Sequence, residues 1–177
     1  AIAGDGGGKR LKVNGSIGAS QALYIGQPQD NTFAPNVNLT AKLEAIENFA
    51  HIDAQAIITP TFRSPFGAQP ADPINATNNR YIQSVYTVSP RIAGVLGSSR
   101  IGYQLRNDNT WTFSGNYGNS RAEVPSTYSN ALTASLNSPG DTVGWTLEYS
   151  RYYYQGANAG APGAIDPDAI DIGGSYT

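Results

Sequence analysis

The sequence predicts an all-β protein, an antiparallel up-and-down β-barrel of about eight or more strands, with a β-sandwich as the alternative. Three observations carry that prediction. Apolar and polar residues alternate with period two from residue 11 onward, as in strands with two unlike faces. The alternating runs are separated by clusters of Gly, Pro, Asn and Asp, which turn a chain. Helical periodicity is hard to find. Even 40–47, whose Ala, Leu, Lys and Glu favour helix, sits inside an alternating run.

Residues 1–10 read as a flexible Gly-rich arm, since Gly4-Asp5-Gly6-Gly7-Gly8 offers little to pack. In the first strand Leu11, Val13, Gly15, Ile17 and Ala19 share a face, opposite Lys12, Asn14 and Ser16. A second strand sets Val37, Leu39, Ala41, Leu43 and Ala45 against Asn36, Asn38, Thr40, Lys42 and Glu44. A hairpin at Glu47-Asn48 leads to a third, where Ile52, Ala54, Ala56 and Ile58 oppose His51, Asp53 and Gln55. Segment 60–79, rich in Pro, Asn and Ala, reads as a long loop.

Further strands are expected at 81–89, 100–106, 110–119, 129–137 and 142–154. Asn107-Asp108-Asn109 and Ser138-Pro139-Gly140-Asp141 supply the turns between the second and third and the last two of these. In 110–119 Trp111 and Phe113 lie opposite Thr110, Thr112 and Ser114. In 142–154 Trp145, Leu147 and Tyr149 lie opposite Thr146, Glu148 and Ser150. The barrel domain, or part of one, is therefore 11–155. Residues 156–177, rich in Gly, Ala, Pro and Asp, form a loop or tail that has room for one more strand at 170–176.

Alternation cannot by itself separate a soluble sandwich from a membrane barrel. Three features favour the barrel. Several runs reach ten residues or more, beyond the usual ~5–6. Aromatics (Tyr24, Phe49, Phe62, Tyr81, Tyr152 to Tyr154) crowd near strand ends, as in interfacial girdles. The polar face is mostly Ser, Thr, Asn, Gln and Gly, where a soluble sheet would carry Lys and Glu.

Composition narrows the function. Charged residues are 14% of the chain and the net charge is -2, which argues against nucleic acid as a partner. With no Cys, disulfide frameworks, thiolate metal sites and cysteine nucleophiles are all excluded. The absence of Met, even at position 1, points to a removed leader or a fragment.

No constellation reads as catalytic, and no cofactor or metal is expected. Gly4 to Arg10 lacks the leading Gly and the Ser/Thr of a phosphate loop, and a strand rather than a helix follows. His51, the single histidine, shares a strand face with Asp53, about 7 Å away and in the wrong geometry for a triad. Asp166, Asp168 and Asp171 lack the spacing of a calcium loop. The polar side chains expected to line a lumen are Lys42, Glu44, His51, Asp53, Arg106 and Glu148. Those expected to face lipid, or the core of a sandwich, are Leu39, Leu43, Ile52, Trp111, Phe113, Trp145 and Leu147. Arg151 has the parity of the second set and belongs at a membrane edge. Tyr149, Tyr152, Tyr153 and Tyr154 are an interfacial girdle or a sugar-stacking platform.

One stretch carries a resemblance. Leu43 to Ala56 holds Glu44-x-x-x-Asn48-Phe49-x-x-x-Asp53-Ala54, and Ser64-Pro65-Phe66-Gly67-Ala68-Gln69 follows. Tyr86-Thr87-Val88-Ser89-Pro90-Arg91 and Gly102-Tyr103-Gln104-Leu105-Arg106 come next in order. The series resembles the outer-membrane β-barrel proteins associated with the PEP-CTERM/exosortase system of Gram-negative bacteria. It covers 43–106, and Ser64 to Gln69 is its most specific part. Members of that family look considerably longer than this chain.

The resemblance implies a barrel of the Gram-negative outer membrane or cell surface, linked to exopolysaccharide-producing bacteria, with no enzymatic activity to carry over. The expected function is non-catalytic, structural or transport-related, with the lipid bilayer as partner and polysaccharide, envelope proteins or further copies of the chain as others. The alternative is an extracellular sandwich subunit that joins a filament or surface layer by strand addition.

Overall fold

A computed structural model describes residues 1–23, 25–26, 32–67, 79–97, 100–116, 126–138, 143–156, 164–165 and 169–176. The chain builds β1 (Ile2–Gly7), β2 (Leu11–Ala22), β3 (Thr32–Ile46), β4 (Ala50–Phe62) and β5 (Arg80–Val95). It continues with β6 (Gly102–Gly115), β7 (Thr127–Ser138), β8 (Val143–Gly156), β9 (Ala164–Ile165) and β10 (Ala169–Tyr176). All ten belong to one antiparallel sheet in the order β1-β2-β3-β4-β5-β6-β7-β8-β10, with β9 also on β8. The all-β, up-and-down class expected from alternation therefore holds, with no helix among the described residues. The sheet is open, because β1 and β10 do not pair with each other. These two edge strands also run in the same direction, since each step along the nine-strand path reverses the chain.

Register runs through the sheet almost unbroken, so the two faces keep their identities across it. One apolar row passes Leu11, Leu43, Ile52 and Pro90. A polar row beside it passes Lys12, Lys42, Asp53 and Ser89. The one irregularity among the described residues is at the β3–β4 hairpin, where the register shifts between Glu44 and Ile46. Asn48 takes φ 54° there, a left-handed conformation that Asn tolerates better than most L-residues. Its N–H donates to Glu44 Oε1 at 2.7 Å. The hairpin expected at Glu47-Asn48 is thus built by a bulge, a left-handed Asn and a carboxylate cap together.

Two expectations change, and a third is met and extended. The Gly-rich segment at the start is a strand and turn rather than a free arm, because Ile2–Gly7 pairs with β2 from Ile2↔Ile17 to Gly7↔Lys12. Ladder pairing needs backbone groups only, so a side-chain-poor segment can still form an edge strand. Asn107-Asp108-Asn109 is not a turn: it lies inside β6, which runs unbroken from Gly102 to Gly115 and merges the two strands expected around it, with 117–119 outside the described residues. Its Asn and Asp side chains, which usually favour turns by bonding the local backbone, find cross-strand partners instead. The strand for which 170–176 had room is β10, and the tail beyond 155 adds the short β9. The turn expected at Ser138 to Asp141 falls mostly outside the described residues, as do Tyr24, Asp166 and Asp168.

The connections are unequal at the two ends. At one end, strands are joined by 8–10, 47–49, 96–101 and 139–142, three to six residues each. At the other they are joined by 23–31, 63–79 and 116–126, nine to seventeen residues. The base of the 63–79 connection is fastened by Asn79. Its amide donates to Ser64 O at 2.8 Å, its Oδ1 accepts from Ser64 N at 2.9 Å, and its carbonyl accepts from Arg63 N at 2.8 Å.

Candidate functional site

Burial is distributed the wrong way round for a soluble sheet. Only Ala34 and Tyr81 are buried apolar residues among those described, while Leu43, Trp111, Phe113, Trp145 and Leu147 are all 36% exposed or more. Of the five buried strand residues among those described, Thr32, Ala34, Tyr81 and Ser89 share the polar face. Arg80, at the start of β5 opposite Phe62, lies on the apolar one, with its guanidinium 4.7 Å from the Phe62 ring centroid. No second sheet covers the apolar face among the described residues. All seven expected lipid- or core-facing residues lie on this face, as does Arg151, opposite Leu132. Aromatics bracket it. Toward the long connections Tyr86–Phe113, Trp111–Tyr128 and Tyr128–Tyr153 make tilted ring contacts, with centroids 6.0, 5.5 and 6.3 Å apart. Toward the short turns lie Tyr103, which stands over Gly94 where a Cβ would meet its ring, and Trp145. Tyr103 and Phe113 are separated by about 33 Å of strand, or roughly 23 Å along the normal at a 45° tilt.

Within that apolar face lies a polar island that sequence reasoning missed by taking it for a turn. Asn130 Nδ2 donates to Asn107 Oδ1 at 2.9 Å and to Asn109 Oδ1 at 2.8 Å. Tyr128 Oη donates to Asn109 Oδ1 at 2.9 Å, and Asn109 Nδ2 reaches Asn107 Oδ1.

The polar face carries a lattice of charge across β2 to β6. Lys42 stands opposite Asp53, and Glu44 opposite His51, with His51 Nε2 3.8 Å from Glu44 Oε1. Arg91 stands opposite both His51 and Arg106. That direct cation–cation pairing would be unfavourable alone, and two carboxylates offset it. Asp53 Oδ2 lies 3.8 Å from Arg91 Nε, and Asp108 accepts from Arg106 Nε at 2.9 Å and lies 2.9 Å from its Nη2. Ser89, directly alongside on β5, donates its hydroxyl to Asp108.

Of the expected lumen residues, Lys42, Glu44, His51, Asp53 and Arg106 come together in this lattice. Glu148 does not; it sits opposite Ser135 and Asp171, on β7 and β10. Arg91, Asp108 and Ser89 were missed. Their signal was parity across the β4–β5 and β5–β6 pairs, which is invisible while 107–109 is read as a turn. The four tyrosines do not form one platform. Tyr149 and Tyr153 fall on the apolar face, and Tyr152 and Tyr154 on the polar face.

In the lattice, among the described residues, no three His, Asp or Glu side chains converge as metal ligands. What it can do chemically is hold water and ions along a polar surface. No family model matches the chain, and neither does any curated protein or solved structure.

Proposed function

We propose that this chain is a membrane-spanning β-barrel sheet of a Gram-negative outer membrane, non-catalytic, with a structural or transport role. The observation that carries the reading is the inverted polarity of the sheet. Its exposed face is apolar and bracketed by aromatics, and its more enclosed face is polar and charged. A lipid-facing band about 25 Å tall between aromatic girdles, with short turns at one end and long loops at the other, is the pattern of such barrels. Strands of 13 to 16 residues in β3 to β6 cross that band at a tilt. Lys42, Asp53, Arg91 and Arg106 keep to the lumen side, since a charge facing lipid at mid-depth costs about 2–4 kcal/mol. Two described charges share the lipid side: Arg80 sits at the strand end against the Phe62 ring, and Arg151 can extend its apolar stem to the interface. In the asparagine island the Asn107 and Asn109 carbonyls accept, and the Asn109 and Asn130 amides donate, within the island, which reduces the polar groups left to face hydrocarbon. The link to exopolysaccharide export, with polysaccharide or envelope proteins as partners, rests on the resemblance of residues 43–106.

Closure into an antiparallel ring needs an even strand number. Because β1 and β10 run the same way, an odd number of added strands would close this sheet, from a longer chain or a partner. The same free edges favour a second reading, an extracellular subunit that assembles by strand addition.

The test is a gel of the detergent-folded protein, boiled against unboiled. A band whose mobility shifts on boiling supports a closed membrane barrel. A detergent-free soluble species, or an unboiled ladder of multimers, supports the assembling subunit instead.

A further inference from the structure

Two like-charge pairs face each other across neighbouring strands of the polar face, and only one of them is neutralised. Arg91 and Arg106 have Asp53 and Asp108. Lys12 stands directly opposite Lys42, and neither makes an ion pair within the described structure. Lys9 and Arg10 come from the adjoining 8–10 turn, held against β3 by the bond from Glu44 N to Arg10 O at 2.7 Å. Together they line a groove of about 220 Å³ that also contains Arg91, Glu44 and Asp53. Arg10 is drawn toward Glu47 at 3.4 Å, and Asp53 toward Arg91 at 3.8 Å. What remains is three ammonium groups against the Glu44 carboxylate and the share of Asp53, opposite Lys42, that Arg91 does not take, in a chain whose net charge is -2.

Directly opposed like charges destabilise a sheet, so a bare Lys12–Lys42 pair is a local cost to the fold. An oxyanion lying between the two ammonium groups removes that cost and gains charge-assisted hydrogen bonds. We propose that Lys12, Lys42 and Lys9 form a binding site for a phosphate-type oxyanion, at the short-turn end of the polar face. Its source is a free small phosphate compound or the repeated phosphates of a polymer threading along that face. The site depends on the polar face alone and stands whether lipid or another protein covers the apolar one.

The test is calorimetric titration of the folded chain, in detergent or in plain buffer as its solubility dictates, with inorganic pyrophosphate and with linear polyphosphate as probes. Pyrophosphate binds the native chain and raises its unfolding temperature, because a ligand that binds only the folded state stabilises it. In Lys12→Gln/Lys42→Gln the affinity falls about tenfold or more and the thermal shift disappears. The same variant without ligand is at least as stable as the native chain, because the repulsion is gone, which separates loss of a site from loss of fold. Lys42→Arg keeps the charge and retains binding. Tighter binding per phosphate by polyphosphate identifies a polymer as the source, and equal binding identifies a free small compound. Unchanged pyrophosphate affinity in the double glutamine variant, or a double variant less stable than the native chain, overturns the site.

Discussion

Asn130 lies directly opposite Asn109 in the middle of an otherwise apolar face, and its amide donates to Asn109 Oδ1 at 2.8 Å. The same oxygen accepts from Tyr128 Oη at 2.9 Å. Each member of the island therefore depends on the others for satisfaction. Replacing one, as in Asn130→Leu, leaves Asn107 and Asn109 short of donors and costs about 1–3 kcal/mol. Replacing all three by leucine leaves only the Tyr128 hydroxyl without its acceptor and costs less than the single change. Urea unfolding of the detergent-folded protein checks both outcomes, and equal losses for the single and triple variants would contradict the coupling.

Asp108 has the complementary role on the polar face, where it pairs with the guanidinium of Arg106, which stands opposite Arg91. Asp108→Asn destabilises the fold by about 1–2 kcal/mol. The loss shrinks as ionic strength rises, because the repulsion it uncovers is partly exposed and screened by salt. Adding Arg106→Gln to Asp108→Asn recovers part of the loss. A loss independent of salt would show that Asp108 acts through packing rather than charge.

Asn79 fastens the 63–79 connection through its side-chain bonds to Ser64, at 2.8 and 2.9 Å. Asn79→Ala gives up both, at about 0.5–1.5 kcal/mol each. Local opening outruns global unfolding at such sites, so limited proteolysis within 63–79 accelerates while the unfolding midpoint moves little. A large drop in the midpoint, with no new cleavage, would place the Asn79 contacts in the body of the sheet instead.

The two faces were legible in the sequence because period-two alternation survives in every strand from β2 to β8. Parity alone put Lys42 with Asp53, and Trp111 with Phe113, on the sides where the structure has them. The hairpin at Glu47-Asn48 was legible too, since Asn tolerates the φ of 54° found there. Asn107-Asp108-Asn109 was misleading because composition reports a local preference, and three cross-strand partners override it. Ile2–Gly7 was missed for a related reason. An edge strand rich in Gly shows no apolar alternation, although its backbone pairs with β2 as well as any. The charge lattice was only half legible, since register decides which strands' charges meet, and register across β5 and β6 depends on reading 102–115 as one strand.

The chain's two tryptophans, Trp111 and Trp145, both lie on the apolar face at 36% and 39% exposure, near opposite ends of it. They are built-in reporters of what covers that face. The most direct measurement is their fluorescence after refolding into phosphatidylcholine vesicles, with and without bromine on the acyl chains. A lipid-facing sheet gives blue-shifted emission that brominated lipid quenches and aqueous iodide does not. Emission quenched by iodide and indifferent to brominated lipid would contradict the membrane account.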